Sequence, residues 1–156
     1  MGFSIEGLLL VIAVLLPNLL VIVFPPQNVP EGPKDAGIVL TVLERIGQAG
    51  CFLLPPLSKD YFKAVAVDVW FILTLISIAV YISLWIRYAF KRDYEYLFKP
   101  LLFIPVPMAV FPVCAFAFMA VWIQSLWLGL AVLVLGIGHL ANSYHSYQCI
   151  MGDKHD

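Results

Sequence analysis

The stretch AVAVDVWFILTLISIAVYISLWIRY, residues 64–88, decides the fold. Between Asp68 and Arg87 it carries no charge, and an uncharged apolar run of this length is what a helix needs to cross a bilayer. Four further apolar segments lie around it, at about residues 4–24, 37–54, 101–123 and 126–148. The chain is 62% hydrophobic with a mean hydropathy of +0.95, whereas soluble domains use about 45–50% apolar residues. The fold class read from this is all-α, an integral membrane bundle of about five transmembrane helices in a single domain over residues 1–156.

The connections fit that division. Pro25-Pro26 with Pro30 and Pro33 end the first span, and Pro55-Pro56 end the second. Lys91-Arg92-Asp93-Tyr94-Glu95 follows the third, and the short Gln124-Ser125 turn makes the fourth and fifth an antiparallel pair. In the second span Glu44 and Arg45 lower the hydrophobicity, so a re-entrant or interfacial helix stays open as an alternative there. Basic residues set the orientation. With the N-terminus outside, Lys34, Arg87, Lys91, Arg92, Lys99 and Lys154 collect inside, against Lys59 and Lys63 outside, so the reading is N-out and C-in. Tyr81, Trp85, Tyr88, Tyr144 and Tyr147 then belong to the inner interface and Trp70, Trp122 and Trp127 to the outer one.

Nine basic and ten acidic residues give a net charge of -1, which excludes nucleic acid as a partner and gives no polybasic attachment to anionic lipid. Cys51, Cys114 and Cys149 show no metal-ligand spacing and read as small buried hydrophobes. No basic n-region precedes the first apolar run, which reads as a retained span, and neither a myristoylation nor a prenylation pattern is present.

Polar side chains inside the spans carry the functional signal: Asn18, Glu44, Arg45, Gln48, His139 and Asn142. At ~1.5 Å per residue the levels of Asn18, Glu44 and His139 converge on one half of the bilayer, whichever way the chain is inserted. Thr41, Glu44, Gln48 and Cys51 share one helical face with Arg45 at its edge; His139, Asn142, Ser143 and Ser146 share another. A charge in lipid costs ~2.5–3.5 kcal/mol, so Glu44 and Arg45 are expected inside the bundle. Neighbours on a helix diverge by about 100°, so each needs a partner elsewhere, with His139, Asn142 and Asn18 as candidates. Gly47 and Gly50, and Gly129, Gly136 and Ser143, are expected packing faces. Pro105, Pro107 and Pro112 are expected to kink the fourth span and free carbonyls beside the polar groups. His139 and His145 point about 120° apart, against a shared metal or haem. Asp68 is expected at the outer interface, and Asn18, next to Pro17, either satisfies backbone groups at a kink or contacts a ligand.

Pro17-Asn18, followed by Leu43-Glu44-Arg45-Ile46-Gly47-Gln48-Ala49-Gly50-Cys51-Phe52, resembles small multi-pass bacterial membrane proteins without an assigned activity. The resemblance covers the first two spans and extends to the His139 region, and it implies no cofactor, substrate or catalytic residue. The residues themselves leave two readings open for Glu44, Arg45 and Gln48: interhelical hydrogen bonding that holds the bundle, or a ligand, proton or ion site completed by His139, Asn142 and Asn18. The function expected is binding or passage of a small solute, ion or lipid in the cytoplasmic half of a bacterial inner-membrane protein, with Glu44 as acid or proton carrier and Arg45 as anion contact. The alternatives are a membrane-embedded lipid-modifying enzyme, for which no catalytic motif is found, and an accessory subunit of a larger complex. Membrane lipids, a small-molecule or ion ligand and further copies of the chain are the partners implied; no metal or cofactor is.

Overall fold

The computed structural model describes residues 2–29, 36–59 and 67–152. The expectations for Pro30, Pro33, Lys34, Lys63 and Lys154 lie outside these residues. Within them the chain is all-helical, and the only sheet-like pairings are isolated bridges.

Local chemistry places each boundary. Helix α1, Ile5–Leu15, starts at Ser4, whose Oγ accepts from the Gly7 N–H at 3.0 Å. Pro17 cannot donate to the α ladder, and the chain tightens into a 3-10 turn, Leu16–Leu19, before α2, Leu20–Val23. Helix α3, Ile38–Leu53, follows Gly37, which sits at φ 126, a conformation L side chains rarely adopt. Helix α4, Val69–Lys91, is capped by Asp68, which accepts from the N–H groups of Trp70 at 2.9 Å and Phe71 at 3.0 Å. Helix α5, Pro107–Trp122, has Pro107 in its first turn, where the missing N–H costs nothing. Helix α6, Leu126–Gly152, opens with the Ser125 hydroxyl accepting from Leu128 N–H at 3.3 Å.

Three boundaries differ from the sequence reading. The third helix, which Asp68 caps at Val69, runs past Tyr88 to Lys91, and its expected start at Ala64 lies outside the described residues. The fourth begins at Pro107, not Leu101: Leu101 and Ile104 exchange backbone hydrogen bonds of 3.1 and 3.0 Å in a tight reversal that holds Leu102 at φ 54 and Val106 at φ 47. Pro105 and Pro107 therefore lie outside or at the start of the helix, and only Pro112 interrupts it. The fifth runs past Gln148 to Gly152.

Among the described residues, three helical segments are long and apolar enough to cross a membrane: Ile5–Val23, Val69–Lys91 and Leu126–Met151. Only 22%, 33% and 28% of their apolar windows are buried inside the protein. Ile22, Phe90 and Leu133 are among the large apolar side chains left outside, an arrangement suited to lipid as the solvent. The chain is thus a membrane protein.

Helix α3 packs along α6, α6 along α5, and α5 along α4, while α1 lies against α4. The first pair is antiparallel and very close. A Cβ on Gly47 would stand 2.3 Å from Leu135 N, one on Gly50 2.6 Å from the Ala131 Cβ, and one on Gly138 2.4 Å from Glu44 N. Gly129 and Gly136, expected as packing residues, are not the contact: nothing lies within 4 Å of a Cβ on Gly129, and Val113 is 3.6 Å from one on Gly136. Both ends of the bundle are tied by backbone bonds. Ser4 N–H donates to Pro56 O at 2.7 Å and Lys59 N–H to Gly2 O at 3.0 Å, joining the start of α1 to the end of α3. Gln27 N–H donates to Arg92 O at 2.7 Å and Tyr94 N–H to Gln27 O at 3.0 Å, joining the end of α2 to the end of α4.

Gly138→Ala, which forces a methyl into the α3 backbone, is expected to destabilise the bundle by about 1–3 kcal/mol. Gly129→Ala, which meets open space, is expected to change stability by less than about 1 kcal/mol, in the stabilising direction. Denaturation in sodium dodecyl sulfate followed by helicity checks both.

Candidate functional site

Because α3 and α6 touch through glycines, their polar faces meet at bonding distance. Glu44 Oε1 lies 2.7 Å from His139 Nδ1. Asn142 Nδ2 donates to Glu44 Oε2 at 2.6 Å, and Gln48 Nε2, one turn along α3, donates to Oε1 at 3.2 Å. With Glu44 ionised, its oxygens only accept, so Nδ1 carries the hydrogen of the His139 bond. In the neutral ring this leaves Nε2 as an acceptor. The Glu44 side chain is 17% exposed and that of His139 26%.

Arg45 differs from expectation. It is exposed on the outer surface of α3, between Val42 and Ile46, and its Nη1 reaches only Gln48 Oε1 on its own helix, at 3.2 Å. The reason is angular: Gly47, Gly50 and Glu44 occupy the face turned to α6, and Arg45 falls about 100° away from Glu44. Asn18 is likewise no partner of Glu44, and its side chain does not serve the Pro17 kink. Its Oδ1 accepts from the Tyr81 hydroxyl across α4. Thr41 and Ser146 bond back to carbonyls of their own helices, Gly37 O at 3.2 Å and Asn142 O at 3.1 Å. Asp68 is the exposed helix cap described above, spent on backbone donors.

Beside the Glu44 network lies a cavity of about 360 Å³. Gln48, His139 and Ser143 line it from α3 and α6, Asn18 from the turn after α1, and Tyr81 and Trp85 from α4. Pro112 and Phe116 of α5 and Phe52 of α3 form apolar wall. The α5 backbone lacks a donor at Pro112, so the carbonyl of Met108, another lining residue, receives no α-helical bond from it. Glu44, Arg45 and Asn142 are not among the lining residues.

Tyr81 and Trp85, read from the sequence as interfacial aromatics, are instead 5% and 7% exposed. With Tyr88 they form an edge-to-face ladder, centroids 6.2 and 5.6 Å apart. Tyr88 is fully buried, its hydroxyl donating to Phe24 O at 2.7 Å. Their spacing of four and three residues was the available signal, since it puts all three on one helical face. Among the described residues Trp85 Nε1–H, which has no accessible surface, meets no acceptor at regular hydrogen-bonding geometry, and the Tyr81 hydroxyl is the group it approaches.

His145 faces Cys149, whose sulfur is 3.8 Å from Nδ1, so the two histidines make separate contacts. Cys51 is buried, and Cys114 and Cys149 are half-buried.

No protein-family model, curated protein or solved structure matches the chain.

A double-mutant cycle between Glu44→Gln and His139→Leu is expected to give a coupling of about 0.6–1.7 kcal/mol, the range found for hydrogen bonds between membrane helices. Arg45→Gln, which breaks a bond within one exposed face, is expected to cost under about 0.5 kcal/mol in the same unfolding assay.

Proposed function

We propose that this chain is a five-span protein of a bacterial inner membrane, N-out and C-in, that binds a small ligand in the cavity beside Glu44. The observation that carries the reading is that cavity. It is walled by His139 and Gln48, both bonded to Glu44, and by Asn18, and its size falls within the roughly 300–1,000 Å³ of small-molecule sites. With the N-terminus outside, the cavity occupies the cytoplasmic half. The five-span count is supported by the backbone bonds at the two ends, which put the start of α1 with the end of α3 and the end of α2 with the end of α4. Helices α3 and α5, sixteen residues each, reach about 24 Å and need the bilayer to thin slightly around them.

Saturation of Glu44 by three donors favours a second reading, in which the network holds α3 to α6 and a partner subunit or lipid supplies the function. Mass spectrometry of molecules that co-purify stoichiometrically with wild type and Glu44→Gln, at matched folded yield, separates the two. A ligand lost in the variant supports binding at this site. Absence of any ligand from both, with loss of the folded protein on substitution, supports the structural reading.

Topology has its own test. In a cysteine-free background, Gly2→Cys is expected to react with an impermeant maleimide on intact cells, and Met151→Cys only after permeabilisation. Labelling of both from one side means an even number of crossings and removes the five-span reading.

A further inference from the structure

Building on the binding reading above, we propose that the cavity ligand is an uncharged, apolar molecule headed by a hydroxyl or carbonyl oxygen. The class follows from which polar groups around the cavity are already committed. Gln48 gives its amide nitrogen to Glu44 and its oxygen to Arg45. His139 gives Nδ1 to Glu44, and Asn18 gives its oxygen to Tyr81. Among the described residues, the hydrogen-bonding groups of the lining left unspent are the Asn18 amide N–H pair, the Ser143 hydroxyl and Nε2 of His139. The amide donates, the hydroxyl can do either, and in the neutral ring Nε2 accepts.

A group of this kind covered by a ligand and left unmade costs about 1–3 kcal/mol, and an oxygen on the ligand removes that cost. The described residues lining the cavity include no Asp, Glu, Lys or Arg. An ionic ligand would therefore enter a membrane-level pocket without a counter-charge in its wall, while Phe52, Phe116 and Leu135 present apolar surface to a hydrocarbon body. A hydroxyl can accept from Asn18 and donate to His139; a carbonyl can accept from Asn18 and Ser143.

The test uses the full chain in lipid nanodiscs, with empty nanodiscs as reference, at about pH 7.5, where alkanoic acids are ionised. Four radiolabelled probes share one ten-carbon chain: 1-decanol, decanoate, decyltrimethylammonium and decane. Decanol is expected to bind saturably at one per chain, with both charged probes and decane at least about ten-fold weaker relative to their partition into empty discs. Ala109→Leu, which fills the lining, is expected to abolish that binding, and Asn18→Leu to weaken it about five- to ten-fold. The decane comparison reads the hydrogen bond on the wild type, so the result stands even where Asn18→Leu lowers the folded yield. A charged probe binding as tightly as decanol overturns the assigned class while leaving the cavity as a site. Equal saturable binding of decane and decanol overturns the oxygen contact. No saturable binding of any probe overturns this inference and the binding reading together.

Discussion

Lipid gives two helices no hydrophobic reason to associate, since a leucine is as well solvated by acyl chains as by another leucine. The α3 and α6 helices carry the Glu44, His139 and Asn142 side chains, and their contact is made by other means. It is made by backbone approach at Gly47, Gly50 and Gly138, combined with the bonds that His139 and Asn142 make to Glu44. Each half depends on the other. A methyl at Gly138 would meet the backbone nitrogen of Glu44 itself, so the residue that permits the close approach sits against the residue that uses it. Without that closeness the carboxylate would face apolar surroundings with only Gln48, on its own helix, to accept from.

How far the sequence disclosed this arrangement depends on the kind of signal each residue leaves. Long apolar runs and helix breakers are local, and Gly37, Leu54 and the Gln124-Ser125 turn fall where composition puts them. The meeting of Glu44 with His139 and Asn142 was also legible, because depth in a bilayer is a one-dimensional coordinate that residue number supplies directly. Rotation about the helix axis is the harder coordinate. Arg45 was read as interior because its cost in lipid was weighed without knowing which face the glycines had claimed, and that face excludes it. Gly138 was passed over for Gly129 and Gly136, which share a seven-residue spacing but point elsewhere.

Tyr81 and Trp85 failed for a related reason. Amphipathic rings near a span end suit the interface, and the same rings at four- and three-residue spacing suit a buried stripe. Composition cannot choose between the two; the packing of α1 against α4 does, by covering that face of α4. The reversal at residues 101–106 left no periodic signal, since Leu102 and Val106 adopt backbone conformations that their side chains disfavour.

The cavity follows from three departures from regular helix. The 3-10 turn at Leu16–Leu19 has Val14, Asn18 and Val21, all cavity-lining, in or beside it. Pro112 interrupts the α5 ladder opposite, and the left-handed Val106 starts that helix late. Straight helices of apolar side chains would close such a gap by sliding together, but a proline ring and a tightened turn hold their backbones out of line. The same breaks also determine the chemistry of the gap. They leave side chains rather than backbone amides as its donors, and the neighbouring network has already consumed most of those. What remains is a small, largely apolar space with a few unspent hydrogen-bonding groups, which excludes charge by cost and admits an oxygen by need.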